Sequence, residues 1–191
     1  MINKKFFSIT IIVAIGYIAL YQIQLLIYSG NFFTNEYDSF AYSIFIPHGW
    51  RILAFLIYGY KYIPGMLIGH LYTGFYLSGD FETFTLTFLI SIIIAVFCVP
   101  IAALFLNLKF KELVSNFNSK YILYLTIISA LINSLSVNFL RFFSNFNLNA
   151  ERFISELFGY LVGDILGVLF IICLYLIIKR LFYLSIDETN K

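Results

Sequence analysis

Long apolar stretches separated by short polar knots run the length of the chain. Six stretches carry the pattern: Phe6–Tyr28, Ser43–Tyr60, Pro64–Gly79, Phe84–Leu106, Tyr121–Leu140 and Phe158–Ile178. At 1.5 Å per residue, the first, fourth, fifth and sixth cover a hydrocarbon core of about 30 Å, and the second and third barely do. No stretch alternates apolar and polar positions over the roughly 10 residues a barrel strand needs, so all six are predicted as helices. The second is interrupted by "PHGWR", and Pro47 with Gly49 predicts a break there. The first is longer than the roughly 7–15-residue core of a secretory signal and meets no small-residue cleavage site, so it is read as a span. The expected fold is all-α: a polytopic transmembrane helix bundle of six spans with a broken second helix. Residues 1–184 form a single integral membrane domain and 185–191 a short tail.

Composition agrees with the pattern. Hydrophobic residues make up 61% of the 191 and charged residues 12%, against about 25% charged in soluble domains. Such a chain cannot clothe a water-facing surface, and the lipid bilayer is its expected partner. With the N-terminus inside and six crossings, Lys4, Lys5, Lys61, Lys109, Lys111, Lys120, Lys179, Arg180 and Lys191 lie in the cytoplasm, leaving Arg51, Arg141 and Arg152 outside. The positive-inside rule favours this orientation, with both termini cytoplasmic. A net charge of +2 with scattered basic residues excludes nucleic-acid binding. The polar segments, such as 29–42 and 109–120, are too short for a kinase, cyclase or nucleotide-binding domain. Cys98 and Cys173 lie in apolar runs and are expected as buried thiols.

Ionisable groups within spans cost about 2.5–3.5 kcal/mol each on insertion scales, so each demands a reason. Asp164 is the sharpest, placed about six residues below the outer end of the last span. Gly159, Gly163 and Gly167 beside it make a stripe that admits a neighbouring helix, as Gly65 and Gly69 do in the third span. Arg51 is the expected partner of Asp164, with His48 and Trp50 beside it near the outer leaflet. The plainer reading keeps equal standing: Pro47 starts the helix, Trp50 joins the aromatic belt and Arg51 snorkels to phosphate. His70 lies near mid-membrane, where a lone histidine is more often structural than a ligand. His48, His70 and Asp164 lack any metal-ligand spacing, so no metal or cofactor is expected. Asn133 and Asn138 are candidates for bridging helices. No nucleophile, triad or HExxH pattern is present, so no catalytic residue and no enzyme activity are predicted.

The order of these pieces resembles the bacterial membrane-associated sensor domain, type one of the MASE class. Pro47 and Gly49 match its break, Gly59 and Lys61 its turn, and Pro64, Gly65 and Gly69 the helix that follows. Gly163, Asp164 and Gly167 in "GDILGVL" match its closing helix. The two blocks cover roughly a third of the chain. The resemblance implies a sensory or ligand-binding module, taking a small polar ligand from the outer side and signalling through a separate subunit. A six-span chain with a glycine-rich middle is also similar to the S components of energy-coupling-factor transporters, which implies solute capture beside a transport subunit. A structural assembly protein without ligand is the third reading. The expected ligand residues are Arg51, Asp164, His48, Trp50 and His70.

Overall fold

A computed structural model describes residues 4–29, 44–78, 85–108, 119–144 and 150–189. The described residues are helical apart from short caps and turns: α1 (Lys4–Ser29), α2 (Ile46–Tyr58), a 3-10 turn (Gly59–Tyr62), α3 (Ile63–Ser78), α4 (Leu86–Phe105), α5 (Ser119–Ser144) and α6 (Ala150–Thr189). Five segments are long and apolar enough to cross a membrane: Lys4–Ile27, Ile46–Tyr76, Leu86–Phe105, Lys120–Phe143 and Phe153–Ile178. The second of these contains α2, the turn and α3 together.

The contacts of α2 and α3 with α1 show that the chain reverses inside that segment. Trp50 Nε1 donates to the Val13 carbonyl at 3.0 Å, and its ring covers Gly16. Gly65 stands against Thr10 and Val13, and Gly69 against Tyr17. Positions 50 and 69 therefore meet the same two turns of α1, whereas on one straight helix they would lie roughly 28 Å apart. α2 runs antiparallel to α1, and α3 runs parallel to it. Gly59 makes the reversal, ending α2 at φ 59° and ψ −148°, a conformation that glycine alone adopts at low cost. Pro64 then sits in the first turn of α3, where its missing N–H forfeits no helical bond.

Directions of the other helices follow in the same way. Gly74 meets Phe88 and Tyr62 donates to the Val96 carbonyl, so α4 is antiparallel to α3. Phe45 N–H donates to the Gly163 carbonyl at 2.9 Å, and Gly49 meets Gly167 and Ile171, so α2 and α6 run parallel. Asn133 bonds Asp164 and Arg141 bonds Tyr160, so α5 and α6 are antiparallel.

The central helix is α2. Ile46–Gly49 and Arg51–Leu56 are all buried, the profile of a helix enclosed on every side. Tyr17, Ile52, Phe55, Tyr62, Met66, Val96, Leu125 and Val168 form the apolar core around it. Large apolar side chains such as Leu26, Leu86, Phe105 and Phe143 point outward, as lipid-facing residues do.

Several expectations change. α2 carries no break: it starts at Ile46 with Pro47 in its first turn and continues through Gly49. Proline in a first turn blocks no bond. Gly49 has a tertiary purpose, because a Cβ there would strike the Gly167 carbonyl and Ile171. The last helix begins at Ala150, well before Phe158, which places Asp164 roughly 17 Å along the axis from Phe153 and deeper than expected. Cys98 is buried, but Cys173 is exposed on the apolar exterior. The expected loop 29–42 and most of the link 109–120 lie outside the described residues.

Candidate functional site

His48 and Arg51 stand one turn apart on α2, on the same side of the helix. Both are buried, Arg51 at 2% exposure and Asp164 opposite at 0%. Arg51 Nη1 donates to His48 Nδ1 at 3.1 Å. A guanidinium only donates, so Nδ1 offers its lone pair and the ring proton sits on Nε2. Nε2 then donates to Ser129 Oγ at 3.3 Å on α5, and Ser129 Oγ donates to the Thr126 carbonyl. Asp164 Oδ2 accepts from Asn133 Nδ2 at 2.7 Å and lies 3.6 Å from His48 Nδ1. No direct Arg51–Asp164 pair forms among the described residues. The histidine stands between them, which corrects the expected ion pair.

Arg51 also lies over aromatic rings. Its guanidinium carbon lies 6.0 Å from the Tyr17 ring centre and 5.5 Å from that of Phe45, cation–π distances worth about 2 kcal/mol when desolvated. Tyr17 Oη in turn shares a hydrogen bond with His70 Nδ1 at 3.1 Å, with the two rings 4.2 Å apart. Five helices thus contribute to one buried polar cluster: Tyr17 from α1, His48 and Arg51 from α2, His70 from α3, Ser129 and Asn133 from α5, and Asp164 from α6.

The cluster's bonding capacity is not used up. Arg51 Nε, His70 Nε2, Asn133 Oδ1 and Asp164 Oδ1 are buried with no hydrogen-bond partner, as are both amide atoms of Gln24. Each such atom costs about 1–3 kcal/mol. Gln24 belongs to α1 and touches none of the charged groups through a hydrogen bond. Gln24→Leu is therefore expected to raise stability by about 1–2 kcal/mol in detergent unfolding. A loss of stability on that change would show that the amide has a partner in the native protein.

The structure brings Arg51, His48 and Asp164 together and joins His70 to them through Tyr17. Trp50 is anchored to α1 by its Val13 bond and is no belt residue, and Arg51 does not snorkel. The glycines do what their spacing implied: Gly65 and Gly69 admit α1, and Gly163 and Gly167 admit the start of α2. Gly159 is buried in the same row. Of the two asparagines, Asn133 bridges helices, while Asn138 bonds the Ser134 carbonyl within its own helix. No three His, Cys, Asp or Glu side chains among the described residues are grouped as metal ligands. Tyr17, Gln24 and Ser129 were missed. A glutamine inside an apolar run was the one usable signal among them.

No family model, no curated protein and no solved structure matches the chain.

Proposed function

We propose that the protein is a six-span sensory module of the MASE-one type in a bacterial cytoplasmic membrane, with both termini in the cytoplasm. On this reading it binds a small polar ligand in the buried cluster and signals through a separate subunit. It has no catalytic role. The observation that carries the reading is the set of unpartnered buried atoms on Arg51, His70, Asn133 and Asp164. Intramembrane polar groups kept at such a cost mark ligand or ion sites by default. The reversal between α2 and α3 supports six crossings, and nine of twelve basic residues then lie inside.

Two measurements follow. A reporter fused after Lys191 is expected to be active only in a cytoplasmic format, and one inserted at Glu36 only in an external one. External activity at the C-terminus would refute the six-span map. Purified protein screened by thermal unfolding against amino acids, small carboxylates and small amines is expected to melt higher with one class. At a concentration about 100 times Kd the gain is about 2.7 kcal/mol. It should vanish in the double variant Arg51→Leu with Asp164→Leu. A flat screen with well-folded protein counts against a solute site.

A further inference from the structure

His48 Nδ1 has two neighbours that make opposite demands. Arg51 Nη1, at 3.1 Å, can only donate and so requires a lone pair on Nδ1. Asp164 Oδ2, at 3.6 Å, accepts when ionised and so calls for a proton on Nδ1. A single nitrogen cannot meet both. The other ring nitrogen offers no escape, because Nε2 faces Ser129 Oγ, whose own hydrogen goes to the Thr126 carbonyl. Nε2 therefore carries its hydrogen in either state, and only Nδ1 is free to change.

We infer that His48 is a proton-binding switch that exchanges Arg51 for Asp164. Neutral, it accepts from Arg51 through Nδ1. When a proton adds to Nδ1, the bond from Arg51 breaks, a new Nδ1–H bond forms to Asp164 Oδ2, and the ring's added positive charge faces the carboxylate. Two like charges then stand where a hydrogen bond was, and Arg51 is driven off. A proton is also the one ligand that needs no cavity among side chains this enclosed. The inference rests on this geometry alone and holds whether or not the protein also senses a solute.

Among the described residues no rival charge faces the ring. Arg51 lies on α2 itself and Asp164 on α6, with Ser129 and Asn133 facing from α5. From α1 comes Tyr17 beneath Arg51, and from α3 His70 behind Tyr17. From α4 comes the Cys98 thiol, within electrostatic reach of Arg51 and bonded to the Ala95 carbonyl. Arg51 covers Phe45, whose N–H is tied to Gly163 of α6. Displacing Arg51 therefore disturbs both the α1–α2 and the α2–α6 contacts. Trp50, the single tryptophan of the chain, sits next to Arg51 and is pinned to α1, a built-in reporter of that movement.

The full chain in lipid nanodiscs, labelled with 15N-histidine, tests the proposal by pH titration. There are two histidines, so His48→Gln assigns the signals. The expected result is an Nε2–H tautomer for His48 near neutral pH, with protonation at Nδ1 on acidification. Trp50 emission should shift with the same midpoint. Arg51→Gln should move that midpoint to higher pH and Asp164→Asn to lower pH, each by about one pH unit or more. The proposal is overturned if His48 stays neutral from about pH 4 to pH 9, or if it holds its proton on Nδ1 at neutral pH. It is overturned equally if Trp50 does not respond, or if the two variants move the midpoint the same way. Should a variant not fold, the wild-type titration decides alone.

Discussion

Gly167→Ala is expected to lower stability by about 3 kcal/mol, and Gly167→Leu to abolish folding. A methyl group built on Gly167 meets the carbonyl of Phe45 and the next amide nitrogen, that of Ile46. These are backbone atoms at the start of α2, and they cannot rotate aside as a side chain can. Reciprocally, a methyl on Gly49 meets the Gly167 carbonyl, so the two helices touch main chain to main chain. Moving them apart would also break the bond from Phe45 N–H to the Gly163 carbonyl and leave that N–H without its partner. Gly74→Ala is the control, since its neighbour is the tip of the Phe88 ring, which can turn away. Thermal unfolding in a mild detergent should find Gly74→Ala near wild type and Gly167→Ala far below it. Equal melting of the two variants would refute the close α2–α6 approach.

Asp164→Leu should cost about 3–5 kcal/mol, the range for breaking a buried charge network from one side. The loss leaves the Arg51 cation with no anion in the cluster and strips Asn133 Nδ2 of its acceptor. Little solvent screening softens this, because Arg51 and Asp164 are 2% and 0% exposed. Adding Arg51→Leu should recover most of the loss, since His48 then needs neither partner and can remain neutral. The two charges act through His48 and do not touch, yet recovery of most of that loss means that a double-mutant cycle should report coupling of about 3 kcal/mol. Denaturant titration of the four proteins gives that value. Strictly additive costs would mean that His48 transmits nothing between them.

Chain-level features were legible where lipid imposes a length. Each apolar stretch corresponds to a helix, because a bilayer demands continuous apolar runs whatever the tertiary contacts. Boundaries were less legible. The turn "AERFISEL" continues α6 beyond the apolar window, and polar helical turns carry no apolar signal. Pro47 and Gly49 misled for a physical reason: each has a local meaning as a helix breaker and a tertiary meaning that only the neighbouring helix reveals. The charged members of the site stood out against an apolar background, but the expected break at Pro47 and Gly49 hid the i, i+3 spacing that puts His48 and Arg51 on one face of α2. Tyr17 could not be told from Tyr72, Tyr76 or Tyr124, which face outward. Where both the lipid side and the protein side are apolar, periodicity no longer reports which face is inside.

The length of α6 has a mechanical consequence. The helix runs unbroken from Ala150 to Thr189, past the end of its apolar span at Ile178. It is therefore a rod gripped by the start of α2 near Gly163 and Gly167, with a long arm on one side. Thr189 lies roughly 39 Å along the axis from Gly163. A tilt of about 5° at that grip sweeps the far end through roughly 3 Å by that length, as much as a rotamer change moves a side chain tip. A displacement too small to open the bundle at Asp164 thus becomes, at the end of the rod, a step of several ångströms.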